Sequence, residues 1–149
     1  MGVFSSKTFA VKTICVGNLS VGGTGKTPMI ELLVRELGES FRVAILSRGY
    51  KRKTKGFLLA GNHTSVEELG DEPFQLKKKF PKVAVAVDAD RRNGINQLMT
   101  DIDPDVILLD DAFQHRKVKP DFSILLTAYD NLYVNDWYLP TGDLRDFKG

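Results

Sequence analysis

A run of β-branched and apolar residues, Thr13-Ile14-Cys15-Val16, leads into Ser20-Val21-Gly22-Gly23-Thr24-Gly25-Lys26-Thr27. No other part of the sequence restricts the fold as tightly. Gly22, Gly23 and Gly25 open backbone conformations closed to other residues. A helical pattern follows at once over residues 28–37, with Met29, Leu32, Leu33 and Leu37 near helical spacing. Pro28 suits a first turn, where its missing N–H has no partner to lose, and Gly38 marks the stop. A strand, a glycine-rich turn and Lys-Thr opening a helix together form a grip for polyphosphate. Successive N–H groups point at the phosphates, and the positive end of the helix adds to the field. In that arrangement Ser20, Val21, Gly22, Gly23, Thr24, Gly25, Lys26 and Thr27 all contact a nucleotide. Lys26 reaches its terminal phosphates and the Thr27 hydroxyl ligates Mg²⁺. The usual pattern begins with glycine, and Ser20 takes that position here.

Strand-like and helix-like runs then alternate. Residues 12–16, 41–46, 82–87, 105–109 and 122–126 are short apolar runs of strand length. Residues 56–60 read as a short extra strand closed by Gly61-Asn62. Ser65-Val66-Glu67-Glu68 has the signature of a helix start. A second helix, residues 73–80, opens after Gly70-Asp71-Glu72, and a third, residues 90–100, has Ile95, Leu98 and Met99 on one side. Continuous apolar strands separated by helices imply an α/β fold of the P-loop NTPase type, a mostly parallel sheet flanked by helices on both faces. The 149 residues suit one domain, a single nucleotide-binding unit over residues 1–149. The chain starts a few residues before its first strand and ends in Arg145-Asp146-Phe147-Lys148-Gly149 without a clear terminating element, which reads as a segment of a longer protein.

Ligands of such sheets sit at the carboxyl ends of the strands, and the remaining polar motifs fall there. Asp110 and Asp111 end the run Val106-Ile107-Leu108-Leu109, and a phosphate loop needs a carboxylate at the end of a neighbouring strand to orient Mg²⁺ or its waters. Asp110, which directly ends the apolar run, fits that role better. Asp71-Glu72-Pro73 is a second acidic site. Its spacing fits a helix cap equally with an aspartate that orients or deprotonates a substrate hydroxyl, with Glu72 helping to hold the metal. Arg48 ends the second strand in Ser47-Arg48-Gly49-Tyr50 and can clamp a phosphate bidentately. The tract Lys51-Arg52-Lys53-Thr54-Lys55 behind it reads as a solvated loop or as a surface for an anionic substrate or membrane. Lys77-Lys78-Lys79 reads as a solvated helix face, and His63 as an exposed loop residue. His115 follows the aspartate pair through Gln114, near the phosphates. Arg91 opens a helix and is read as a substrate contact or a surface ion pair.

Composition closes off other classes. A net charge of +2 gives no footprint for nucleic acid. Cys15 is the sole cysteine, so neither a disulfide framework nor a spaced zinc set exists; it reads as a buried, inert thiol. No apolar stretch approaches the roughly 18–20 residues that span a bilayer.

The blocks, taken in order, resemble a known family. The stretch from Val16 to Pro28 is similar to the phosphate-loop signature of the tetraacyldisaccharide 4'-kinase family, the lipid A kinases. Further matches are Leu46-Ser47-Arg48-Gly49-Tyr50, Gly70-Asp71-Glu72-Pro73, Asp90-Arg91, Leu109-Asp110-Asp111-Ala112-Phe113-Gln114-His115-Arg116 and Leu139-Pro140-Thr141-Gly142-Asp143-Leu144-Arg145. The resemblance implies transfer of the ATP γ-phosphate to the 4'-hydroxyl of an acylated glucosamine disaccharide 1-phosphate. It implies work at the cytoplasmic face of the bacterial inner membrane. It makes Asp71 the catalytic aspartate, Glu72 and Asp110 acidic groups around Mg-ATP, and Asp111 and His115 supports of the site. It also implies a two-domain kinase, of which this chain resembles the amino-terminal core, without the family's apolar leading helix. It assigns no oligomeric state.

Two other readings compete. A nucleotide-driven switch lacks support, because no Asn-Lys-x-Asp segment exists for guanine and Val21 stands where partitioning ATPases carry lysine. A binding module without turnover is opposed by the intact Lys26, Thr27, Asp71 and Asp110, and stays open for the isolated segment.

Overall fold

The computed structural model describes residues 9–18, 25–110 and 117–127. Six strands, β1 (Lys12–Asn18), β2 (Val43–Ser47), β3 (Leu58–Leu59), β4 (Ala84–Val87), β5 (Val106–Asp110) and β6 (Phe122–Leu126), form one sheet in the order β3-β4-β2-β5-β1-β6. All neighbouring pairs are parallel except β3 with β4. The glycine loop after β1 and the segment after β5 therefore leave from adjacent strands, Val16 standing in register with Asp110.

Helices α1 (Lys26–Gly38), α2 (Val66–Leu69) and α3 (Asp71–Lys79) cover one face, and α4 (Arg91–Asp101) covers the other. The expected mostly parallel, two-sided α/β sheet is what forms. The central strands are buried on both sides, so β2 and β5 carry no exposed residue. Side chains alternate between the faces. Ile45, Val85, Val87 and Leu108 meet Ile30 and Val34 of α1, while Cys15, Leu46, Ile107 and Leu109 meet Ile95 and Leu98 of α4. Each fully buried aliphatic side chain such as Ile30 or Leu98 contributes about 2 kcal/mol.

Several boundaries move. The Gly56–Ala60 region holds a strand of only two residues, antiparallel at the sheet edge. The apolar side of α1 runs through Ile30 and Val34 with Met29, Leu33 and Leu37 beside them. Leu32 is 48% exposed, because two residues from Ile30 a helix has turned to its far side. Ser65 and Glu68 complete a reciprocal capping box at the start of α2. Lys77 is not simply solvated: its Nζ donates to the carbonyls of Pro81 and Val83 at 2.9 and 3.2 Å and ties α3 to the approach to β4.

Candidate active site

The carboxyl edge of the sheet gathers what the sequence spread over about a hundred positions. At the end of β1, Gly25 caps α1 with φ 81°, a left-handed conformation that favours glycine. Lys26 and Thr27 follow as the first two helical residues, half-buried at the positive end of α1. On the adjacent strand, Asp110 is the last residue of β5 and only 4% exposed. Arg48 follows β2 and is exposed at the same edge. Ser20, Val21, Gly22, Gly23, Thr24, Asp111, Gln114 and His115, together with the Leu139–Arg145 block, lie outside the described residues.

Asp71 and Glu72 are not ahead of a helix but within its first turn; Gly70 is the cap, and no side chain caps α3. Pro73 is what misplaces the start in sequence, since proline fits any of the first helical positions, where N–H groups are unpaired. Gly70 has φ 96°, and a Cβ there would stand 3.1 Å from the Tyr50 carbonyl oxygen. That close approach brings the start of α3 against the turn after β2, so Asp71 reaches the same edge as Arg48. Both carboxylates are exposed. Asp71 shares a cleft of about 190 Å³ with Tyr50, Lys51, Lys53, Glu67 and Gly70. A larger cavity, about 490 Å³, opens near Arg42, Val43, Lys82 and Val83, at the opposite, amino-terminal edge.

Arg91 is neither a surface ion pair nor an exposed substrate contact. It is 2% exposed. Its Nη1 donates to the Asp88 carbonyl and its Nη2 donates to the Asp110 carbonyl at 3.0 Å. β4 and β5 flank β2, so this one guanidinium bridges two strand ends across a third. Its planar fork of donors suits that span.

Asp88 is a residue the sequence reading missed. It follows β4, is 2% exposed, and accepts from the Asp90 N–H at 2.9 Å and from Asn93 Nδ2 at 2.7 Å. The signal was present, because Asp88 ends an apolar run just as Asp110 does. Arg52, read only as part of its basic tract, instead bonds within the loop: it donates to Thr54 Oγ1 at 3.0 Å and to the Gly56 carbonyl at 2.6 Å. Burial pushes its pKa down, and Asp88 opposes that shift.

Can the edge take a magnesium–nucleotide complex? Thr27 offers a hydroxyl from the first turn of α1, and Asp110 a buried carboxylate from the end of β5. Among the described residues no three His, Cys, Asp or Glu side chains cluster as a metal cage. Mg²⁺ suits that sparse oxygen set, since it binds through one or two carboxylates, waters and substrate phosphates. The donors present fit the ion.

The parallel sheet, the left-handed Gly25, Lys-Thr at the start of α1 and the aspartate closing the neighbouring strand define a phosphate-loop kinase fold. A crystal structure of LpxK from Aquifex aeolicus in complex with ATP superposes with a TM-score of 0.85 at 44% identity, over 95% of this chain and 45% of that one. The family model for tetraacyldisaccharide-1-P 4'-kinase matches residues 1–148, and the chain belongs to that family. The tetraacyldisaccharide 4'-kinase of Flavobacterium johnsoniae is 61% identical over 148 residues, 99% of this chain and 44% of that protein. That of Parabacteroides distasonis is 54% identical over 147 residues, 97% of this chain and 40% of that protein. The chain thus spans about two-fifths of the length of these relatives.

Proposed function

We propose that the protein is an ATP-dependent lipid-sugar kinase that transfers the γ-phosphate to the 4'-hydroxyl of a tetraacyldisaccharide 1-phosphate, and that this chain is its nucleotide-binding domain within a two-domain enzyme. One observation carries the reading: buried Asp110 closes the strand beside the one that feeds Gly25, Lys26 and Thr27, in a chain of this family. Residues 20–27 hold the ATP phosphates. Thr27 and Asp110, with Glu72, hold Mg²⁺, which when bound neutralises charge on the β- and γ-phosphates. Lys26 draws off charge from the transferring group.

Asp71 accepts the proton of the 4'-hydroxyl as that oxygen bonds to the γ-phosphorus; the bond from phosphorus to the bridging oxygen breaks and ADP leaves. Its place at the start of α3, facing an open cleft, gives a sugar hydroxyl access. Arg48, Asp111, Gln114 and His115 support substrate or phosphates. Four acyl chains would keep such a substrate in a bilayer, which supports an enzyme working at a membrane surface; in this proposal that surface is the cytoplasmic face of the bacterial inner membrane, as the family resemblance implies. No described helix is long and apolar enough to cross one. The test is direct: full-length protein, ATP and tetraacyldisaccharide 1-phosphate, with the product's 4'-phosphate read by mass spectrometry. ATP hydrolysis without lipid phosphorylation would contradict the reading.

A further inference from the structure

The tract Lys51-Arg52-Lys53-Thr54-Lys55 looks uniformly basic in sequence, but the fold sorts it. Arg52 and Thr54 turn inward and are half-buried, while Lys51, Lys53 and Lys55 are exposed. The inward residues pin the loop. Arg52 bonds to Thr54 and Gly56, Thr54 Oγ1 donates to the Glu68 carbonyl at 2.6 Å, and the Lys53 N–H donates to the Glu67 carbonyl at 2.7 Å. Lys51 is held at φ 60°, uncommon for a residue with a side chain, and its ammonium lies 5.3 Å from the centre of the Tyr50 ring. These backbone bonds fix where the outward lysines stand.

Two of them, Lys51 and Lys53, line the cleft that holds Asp71, and Glu67 lines it too. The cleft therefore pairs two ammonium groups with two carboxylates. A polyanion would be repelled by half of that lining. A ligand carrying both hydroxyls and one anionic group matches it, because carboxylates accept from sugar O–H groups and ammoniums donate to a phosphate. The nucleotide's own phosphates belong at the start of α1, beyond β1, whereas this cleft lies beside the turn after β2, two strands along the same edge.

We infer that Lys51 and Lys53 form the site for the phosphate monoester that the sugar substrate already carries, so that this cleft selects a phosphorylated over an unphosphorylated disaccharide. The inference rests on the kinase reading above. Because the loop is pinned, little ordering is needed when the phosphate arrives.

The test compares two acceptors in neutral detergent micelles, the tetraacyldisaccharide 1-phosphate and the same lipid without its 1-phosphate, with full-length enzyme. Lys51→Asn, which keeps a residue tolerant of the left-handed conformation, is combined with Lys53→Gln. The expected result is a fall in kcat/KM of about tenfold or more on the phosphorylated acceptor, the size of a lost charged hydrogen bond. On the other acceptor the change stays within about twofold, as does the KM for ATP. Equal losses on both acceptors, or no loss on either, overturn the assignment. So does a defect that appears only when anionic phospholipid vesicles replace the micelles, since the lysines would then hold bilayer phosphate. A wild-type enzyme that phosphorylates neither lipid overturns the kinase reading itself, an outcome distinct from any of these.

Discussion

Arg91 Nη2 donates to the backbone carbonyl of Asp110 at 3.0 Å, and both residues are almost wholly buried. A guanidinium from α4 thereby fixes the end of the strand that carries the proposed metal carboxylate. A second donor on the same group holds Asp88. Lysine gathers its donors on one nitrogen, so it does not reproduce a span made by two separate nitrogens. Arg91→Lys is expected to keep the fold but loosen Asp110, raising the Mg²⁺ concentration needed for half-maximal ATP binding by about tenfold, from a lost charged hydrogen bond. Arg91→Met is expected to destabilise by about 3 kcal/mol in urea denaturation. If Arg91→Lys leaves the Mg²⁺ dependence unchanged, Arg91 serves stability alone.

Gly94 decides between propensity and packing. Alanine in a helix interior normally gains nearly 1 kcal/mol over glycine. Here a Cβ would stand 2.8 Å from both Leu46 Cδ atoms and 3.2 Å from Asp88 Cβ. Leu46 is fully buried and cannot step aside. Gly94→Ala is expected to destabilise by about 1–3 kcal/mol, the usual cost of overpacking. A rise in the thermal midpoint would show that α4 packs less closely against β2.

Gly70 tests how Asp71 is aimed. Its φ of 96° and its 3.1 Å approach to the Tyr50 carbonyl both resist a side chain. Gly70→Ala is expected to shift the start of α3 and lower kcat of the full-length enzyme at least tenfold while the KM for ATP stays within about twofold. Unchanged kcat would separate Asp71 from the geometry of this turn.

Acid sensitivity follows from two depressed carboxylates. The Ser65 backbone N–H, then its hydroxyl, hold Glu68 below the usual carboxylate range, and the Arg42 backbone N–H does the same for Asp105. A carboxylate whose folded pKa is lowered adds stability above its unfolded pKa and loses it as pH falls through the folded one. The gap in thermal midpoint between wild type and Glu68→Ala should therefore be full near neutrality and shrink below the ordinary glutamate range. A gap independent of pH would mean that the Glu68 half of the capping box contributes nothing.

Much of this was legible in the residues. The apolar strand runs, the helix opening at Lys26-Thr27 and the aspartate closing β5 depend on local pattern, and each appeared where expected. The Ser65–Glu68 box was readable for the same reason, since both partners lie within one turn. Arg91 was not, because Asp90-Arg91 announces a helix start without saying which face docks on the sheet, and docking turned the arginine inward. The basic tract failed likewise: composition cannot reveal that Arg52 and Thr54 bond inward while the three lysines that alternate with them stay outside. Leu32 was misread because four apolar residues near helical spacing left Ile30 and Val34 uncounted, and those two are what the sheet buries.

The central claim is a division of labour, with Lys26 holding nucleotide and Asp71 moving a proton. The measurement is ATP binding by calorimetry in Mg²⁺, set beside phosphate transfer to the lipid, for Lys26→Ala and Asp71→Ala in the full-length protein. Lys26→Ala is expected to weaken ATP binding by about tenfold or more, as a charged phosphate contact is lost. Asp71→Ala is expected to bind ATP within about twofold of wild type and to lose transfer by about 10²–10⁴-fold, the range of general-base removal. Equal loss of ATP binding in both variants, or transfer that survives in Asp71→Ala, would contradict it.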